Sequence, residues 1–281
     1  MTIEAALRDA QTSLAKLVIS AEAKLEAQLL LQHALKVNRA WLISHQNDAL
    51  EANIHAAYRA LINRRINGEP IAYILGVREF YGLNLKVTPA TLIPRPDTET
   101  LVEAALAKIP LQKNLTICDL GTGSGAIALA IAKHRSQAKV TATDASQAAL
   151  NVAIENAENL QIANVKFVLS DWFNALKNEK FDVIVSNPPY IETDDAHLSQ
   201  GDLRFEPISA LASGQDGLDD IREIIRQAAQ HLNPQGWLLL EHGYNQAECV
   251  ADLLKQVGFT EVSHALDLAG ITRVTLGRLA S

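Results

Sequence analysis

Residues 115–125 read Leu115-Thr116-Ile117-Cys118-Asp119-Leu120-Gly121-Thr122-Gly123-Ser124-Gly125. The first six residues form a short, largely apolar run suited to a buried strand, and the glycines after it let the backbone turn tightly. Apolar residues resume at once in Ala126-Ile127-Ala128-Leu129, so a helix is expected over about 124–134. Strand, glycine turn and helix in that order open a parallel α/β sheet, which binds ligands where such turns leave the carboxyl ends of its strands. The spacing is G-x-G-x-G and departs from the G-x-G-x-x-G of dinucleotide-binding folds. Asp119 precedes it, and a carboxylate there suits a cationic ligand better than a pyrophosphate. The plain alternative is a turn that only packs a helix on a sheet.

The alternation continues on both sides. Strands are expected at 115–120, 138–143, 164–169, 181–186, 235–241, 260–266 and 271–277, with helices at about 124–134, 146–158, 218–232 and 246–256. This predicts an α/β fold, a mostly parallel seven-stranded sheet with helices on both faces. Only Asp267-Leu268-Ala269-Gly270 separates the last two strands, too little for a crossover helix, so they form a hairpin and the sheet ends with an antiparallel member. Residues 190–217 carry no clear pattern and are expected to form a substrate-facing flap.

Upstream, residues 1–67 read as a small helical bundle. Ser20 is expected to cap a helix with Leu25, Leu29, Leu30, Ala34 and Leu35 on its apolar positions. A short helix spans Asn38 to His45, with Trp41 in the bundle core, and a longer one spans about Glu51 to Asn67 with Ile54, Ala57, Leu61 and Ile62 on one side. Residues 68–92 are expected to form a β-hairpin linker from Ile71–Gly76 and Leu83–Val87. Ile93-Pro94-Arg95-Pro96 then stiffens the entry to a helix at about 98–108, capped by Asp97 or Thr98. The domains are therefore 1–67, 68–92 and 93–281.

Composition bounds the function. The 281 residues are 48% hydrophobic, enough for a buried core, and 25 Lys+Arg against 32 Asp+Glu give a formal charge of −7. That balance disfavours a broad phosphate-binding surface, so no direct nucleic-acid binding is expected. The two cysteines lie far apart, and neither a disulfide framework nor metal-ligand spacing is visible, which fits a reducing cytoplasm. Met1-Thr2-Ile3-Glu4 lacks the basic and apolar regions of a secretory signal, and no apolar run approaches the ~20 residues that span a bilayer.

Chemistry concentrates after the fourth strand, at Asn187-Pro188-Pro189-Tyr190. Two prolines have no N–H and fixed φ, so this segment presents acceptors: the Asn187 side-chain oxygen and the carbonyls of Asn187 and Pro188. Acceptors facing an NH2 group bind both its hydrogens, and Tyr190 offers a face for a flat group. Asp144, at the tip of the second strand, can accept from both hydroxyls of a ribose or can cap the next helix. Asp171 can accept from an adenine amino group, with Trp172 packed on the base; otherwise they are a surface turn and a half-buried aromatic. An adenosine ligand with a cationic centre, beside a site that grips a planar nitrogen, points to S-adenosylmethionine and methyl transfer. The eight histidines are scattered without metal spacing, no metal is expected, and His242 is given a structural role.

The Gly121-to-Gly125 turn, Asp144, Asp171-Trp172 and Asn-Pro-Pro-Tyr resemble the amino-methyltransferase branch of the seven-stranded S-adenosylmethionine-dependent methyltransferases. With the helical front, Gly68-Glu69-Pro70-Ile71-Ala72-Tyr73-Ile74-Leu75-Gly76, Phe80-Tyr81-Gly82, Ile93-Pro94-Arg95-Pro96-Asp97-Thr98-Glu99, Arg204-Phe205-Glu206-Pro207 and Asp216-Gly217-Leu218, the whole chain resembles the PrmC/HemK family of release factor glutamine methyltransferases. The resemblance implies methylation of the glutamine side-chain amide in the Gly-Gly-Gln motif of class 1 peptide chain release factors. It implies cofactor contacts at Gly121, Thr122, Gly123, Ser124, Gly125, Asp144, Trp172 and Asn187, joined by Asp171 from the reading above. It implies substrate-amide contacts at Asn187, Pro188, Pro189 and Tyr190, with the helical domain and hairpin docking the release factor. The protein is expected to act as a monomer. Three readings stay open beside this one: a glutamine methyltransferase of a ribosomal protein, a methyltransferase of the adenine amino group in DNA or RNA, and a non-catalytic binding module that kept the fold. A nicotinamide-dependent dehydrogenase is disfavoured by the glycine spacing and the prolines.

Overall fold

The computed structural model describes residues 1–280 and falls into two compact units, one ending at Gly76 and the other beginning at Val77.

The first unit is helical: α1 (Ile3–Leu14), α2 (Ser20–Leu35), α3 (Arg39–Ser44), α4 (Ala52–Ile66) and α5 (Ile71–Leu75). Thr2 caps α1 by accepting from the Ala5 amide, and Asn38 caps α3 by accepting from the Trp41 amide. Ser20 is not a cap: Ile19 holds that position in an extended conformation without a side-chain bond, and Ser20 is already helical. The buried stripe of α2 is Ala23, Ala27, Leu30 and Leu31, while Leu25 is exposed, because apolar residues occur nearly all round this helix and leave its inward face undetermined. Tyr58 of α4 donates to the Ala27 carbonyl at 2.9 Å, and Arg65 of α4 pairs with Glu26 of α2 at 2.9 Å within the bundle. Trp41 lies at the rim of the core, half-buried and stacked on His45 with ring centroids 4.1 Å apart.

The stretch 71–75 is a helix, contrary to the strand expected there. Pro70 has a backbone suited to helix entry, its carbonyl accepts from the Tyr73 and Ile74 amides, Ile74 joins the bundle core, and Gly76 ends the turn at φ +72°. A short apolar run carries no periodicity that separates helix from strand; here the bundle decides.

The second unit opens with the hairpin, displaced to β1 (Val77–Phe80) and β2 (Leu83–Lys86). Phe80 pairs with Leu83 across Tyr81 and Gly82, whose φ values of 49° and 72° suit a tight two-residue connection. A 3₁₀ turn (Pro96–Thr98) leads into α6 (Glu99–Lys108). Thr98 stands at the cap of α6 but makes no capping bond. Then follow β3 (Thr116–Leu120), α7 (Ala126–His134), β4 (Lys139–Asp144), α8 (Gln147–Asn159), β5 (Val165–Leu169), β6 (Phe181–Ser186), α9 (Asp219–His231), β7 (Leu232–Glu241), α10 (Ala247–Gln256), β8 (Phe259–Leu266) and β9 (Thr272–Leu279).

The seven strands lie in the order β5-β4-β3-β6-β7-β9-β8. The first five in this order are parallel, and β9 runs antiparallel to both neighbours. The antiparallel strand is thus second from the edge: the four-residue link makes β8 and β9 a hairpin, and β9 is the member that pairs with β7. The sheet carries a core on each face, one with Leu101, Val102, Ile127 and Ile131, the other with Ile221, Ile224, Val250 and Leu254. From β3 the chain steps outward through β4 and β5, then returns to the other side of β3 as β6. That reversal opens a crevice beyond the carboxyl ends of β3 and β6.

Candidate active site

The glycine turn after β3 and Asn187-Pro188-Pro189-Tyr190 after β6 flank this crevice, since Leu120 pairs with Ser186. A cavity of about 380 Å³ lies there. Of the residues singled out in the sequence, Gly121, Gly123, Asp144, Asp171, Trp172, Asn187 and Pro189 line it together. Gly121 has φ +72°, which favours glycine, although a Cβ there would reach only ordinary contact, 3.4 Å, with the Trp172 ring. Trp172 itself is left-handed, with φ 44°, an uncommon state for a bulky residue. It is held by Ser170, whose hydroxyl donates to the Trp172 carbonyl at 2.8 Å and accepts from the Ala175 amide at 3.0 Å.

Asp144 is not the cap of the next helix. Its Oδ2 accepts from the Gly123 amide and its Oδ1 from the Ser146 amide, each at 2.8 Å, while Ser146 takes the cap of α8. Two oxygens with one bond each keep lone pairs toward the cavity. Burial holds the carboxyl above its ordinary range, and the two amides oppose that shift. Asp171 is exposed and accepts from the Asn174 side chain at 3.2 Å.

Thr122, Ser124 and Gly125 lie beneath the turn and are not among the lining residues. The Thr122 hydroxyl donates to Asp119 Oδ2 at 2.6 Å, and the Ser124 carbonyl accepts from Asn156 Nδ2 at 2.9 Å. Asp119 also differs from expectation. It is fully buried, accepts from the Ala128 amide at 3.2 Å, and fastens the turn to α7. Burial pushes it up to about 7 from an ordinary 3.8. A carboxyl raised on folding binds more protons folded than unfolded, so its contribution is fully present at low pH and is lost as pH rises through about 7. Unfolding by urea at pH 5 and pH 8 is expected to show lower stability at the higher pH, and Asp119→Asn to flatten that slope by at most about 3 kcal/mol. An unchanged slope in the variant would refute the assignment.

Asn187 faces two spaces, the main cavity and a smaller one of about 70 Å³ that also touches Tyr190, Arg95, Leu203 and Leu211. Its Nδ2 donates to the Thr98 hydroxyl at 3.3 Å. Tyr190 donates from its hydroxyl to Glu241 Oε1 at 3.4 Å, and burial pushes the phenol up so that it stays protonated. Pro188 is buried and lines neither space.

Pro207, from the Arg204-to-Pro207 stretch noted in the sequence, also lines the cavity, whereas Thr91, Leu92, Ser209 and Ala210 carried no local signal there. They come from two distant loops joined by Glu206, whose side chain is buried, accepts from the Ile93 amide at 3.0 Å and pairs with Arg95. The stretch 190–217 therefore folds as three 3₁₀ turns (Ala196–Ser199, Leu203–Phe205, Ile208–Ala210) pinned by an Ile191 to Ala212 bridge, and its later part forms a cavity wall. His242 is fully buried, with Nδ1 against the Gly243 carbonyl and Nε2 against the Thr275 hydroxyl, and it lines no cavity described here. Among the described residues no cluster of metal-ligating side chains occurs, and no helix is long and apolar enough to cross a membrane.

A family profile described as a methyltransferase domain matches residues 111–267, and one described as the PrmC N-terminal domain matches residues 5–76. The chain is 50% identical to the release factor glutamine methyltransferase of Xylella fastidiosa (strain Temecula1) over 91% of its own length and 93% of that protein. Against the protein of the same description from Escherichia coli K12 it is 45% identical, covering 95% of this chain and 96% of the relative. The solved T. thermophilus 16S rRNA N2 G1207 methyltransferase, in complex with AdoMet and guanosine, shares the fold with a TM-score of 0.54 at 21% identity, over 72% of this chain and 49% of that one. The chain belongs to the release factor glutamine methyltransferases.

Proposed function

We propose that this chain transfers a methyl group from S-adenosylmethionine to the side-chain amide nitrogen of the glutamine in the Gly-Gly-Gln motif of class 1 peptide chain release factors. One observation carries the reading: Asn187 and Pro189 line the same cavity as Gly121, Gly123, Asp144 and Trp172. A nitrogen-gripping element and an adenosine-shaped crevice thus open on one space.

The residues fit the cofactor. The cavity volume lies in the range of small-molecule sites, roughly 300–1,000 Å³. Gly121 and Gly123 allow close approach, Asp144 keeps lone pairs for ribose hydroxyls, and Trp172 supplies an apolar face for a base. Asp171 is the candidate acceptor for the adenine amino group, while Thr122, Ser124 and Gly125 set the turn from below. The bound cofactor supplies an electrophilic methyl on a positively charged sulfur.

The protein's own work is positioning. An amide nitrogen is a weak nucleophile because its lone pair is delocalised into the carbonyl. Asn187 Oδ1 and the Pro188 carbonyl accept its two hydrogens, aim the nitrogen along the line of displacement and favour the charge that develops on it. Pro189 and Tyr190 stiffen this grip. Orientation of this kind is worth up to roughly 7–11 kcal/mol. The helical unit and the β1–β2 hairpin hold the release factor, and the enzyme acts as a cytoplasmic monomer without direct nucleic-acid contact, in keeping with the formal charge of −7.

The test is incubation with isotope-labelled S-adenosylmethionine and cell extract containing a class 1 release factor, followed by mass mapping. A methyl on the glutamine of Gly-Gly-Gln is the expected result. Label on adenine or on a ribosomal protein instead would overturn it.

A further inference from the structure

We propose that Glu206 is a positioning residue for methyl transfer: its carboxylate locks together the two loops whose Leu92 and Ala210 border the passage between the cofactor cavity and the smaller space beside Tyr190. The inference rests on the reading of Asn187 and Tyr190 as the grip on the substrate amide, and extends it to a residue that lines neither space.

The two spaces share part of their walls. Leu92, Asn187 and Ala210 line both, so these residues stand where one space gives way to the other. With the cofactor on the glycine-turn side and the amide on the Tyr190 side, the methyl group passes between them. Asn187 directly follows β6, a central strand held by β3 and β7. Leu92 and Ala210 have no such support. Leu92 lies in the link between β2 and the 3₁₀ turn Pro96–Thr98, and Ala210 closes the 3₁₀ turn Ile208–Ala210. The second loop is fixed to the grip, because the Leu211 carbonyl accepts from the Tyr190 and Ile191 amides at 3.2 and 2.9 Å. Glu206 fastens the first loop to the second.

The Glu206 side chain has no exposed surface. Its Oε2 accepts from the amide of Ile93, the residue after Leu92, at 3.0 Å, and its Oε1 accepts from Arg95 Nη2. A carboxylate buried this deeply is costly unless it is paired, so the acid and its two donors behave as one joint. Prolines stand on either side of it: Pro94 and Pro96 flank Arg95, and Pro207 follows Glu206. Their fixed φ passes a change at the joint along the loops instead of absorbing it beside the joint. Leu92 and Ala210 are the residues that then move. Displacement needs the nitrogen and the methyl carbon in line and roughly 3–3.5 Å apart, and a misplacement of about 1 Å costs on the order of 10²-fold.

The experiment compares Glu206→Gln, Arg95→Met, their double variant, Arg95→Lys and Asn187→Ala with the wild type, each well below its own melting temperature. S-adenosylmethionine affinity, kcat, and KM for a class 1 release factor are measured. Glu206→Gln sets an NH2 against the guanidinium, and Arg95→Met leaves the carboxylate with the Ile93 amide alone. Each is expected to lower kcat by about 10- to 100-fold. Cofactor affinity is expected to fall by less than about fivefold, because Gly121, Asp144 and Trp172 are carried by β3, β4 and β5 and keep their places. The double variant is expected to be no slower than the slower single, since one joint is broken either way. Arg95→Lys, which keeps a cation for the carboxylate, is expected to turn over faster than Arg95→Met. Wild-type kcat in either single variant, losses that multiply in the double, cofactor affinity falling as far as kcat, or Arg95→Lys as slow as Arg95→Met overturns the proposal. Should Glu206→Gln fail to fold, the Arg95 variants decide alone. If the joint fails these tests while Asn187→Ala is slow, the grip on the substrate amide stands without it. Wild-type turnover in Asn187→Ala instead removes the reading on which the joint rests.

Discussion

Asn187→Ala is expected to lower turnover by about 10²- to 10³-fold, a loss of ~3–4 kcal/mol of transition-state stabilisation, while the melting temperature and cofactor affinity stay near those of the wild type. The size follows from what the side chain supplies. In the proposed grip its oxygen is the acceptor for a nitrogen that becomes positive as the methyl arrives, an interaction that would strengthen in the transition state and show in kcat. The fold has little at stake, because the side chain is only half-buried and its one protein bond, to Thr98, spans 3.3 Å. Single-turnover methylation of a release factor measures the effect. Turnover within threefold of wild type would dispose of the role given to Asn187.

Gly217→Ala is expected to be the most damaging substitution distant from the cavity wall. Gly217 has φ +72°, and a Cβ there would sit 2.2 Å from the Tyr190 carbonyl oxygen and 2.8 Å from Gln246 Nε2. That nitrogen ties two segments by donating to the Tyr190 carbonyl at 3.1 Å and the Asp216 carbonyl at 3.3 Å. A methyl group cannot be absorbed by rotating a flexible side chain, since the first obstacle is backbone. Either Gly217 or Tyr190 must move. Destabilisation of about 2–4 kcal/mol is expected, combining left-handed strain with overpacking, together with a loss of kcat as Tyr190 shifts. Urea unfolding of the variant reads the first and methylation the second. A variant as stable and as active as wild type would show that the loop adjusts freely.

Much of this was legible because each signal was local. The alternation of apolar runs and turn residues marks all seven strands, and the four-residue link before β9 dictates its hairpin. Gly121 and Asn187 directly follow their strands and Asp144 ends its own, so knowing the fold brings them together. What stayed hidden depends on contacts between distant segments. Ile71–Leu75 is helical because Ile74 reaches the bundle core. The inward face of α2 is chosen by its neighbours, because its apolar residues are spread around the helix. Asp119 looks like a ligand for a cation, yet it points under the turn to Thr122 and Ala128. Thr98 reads as a helix cap, and only its meeting with Asn187 reveals that its hydroxyl serves elsewhere.

The placement of β9 inside the sheet bears on when a newly made chain becomes competent. β8 pairs with β9 and with no other strand, and β9 also closes the free side of β7, setting Val274 opposite Glu241. A ribosome that has delivered residues only as far as 271 has therefore made a β8 with nowhere to attach, and a β7 whose outer hydrogen-bonding groups are open. The strand that covers the outer side of Glu241 is therefore the last of the sheet to be made.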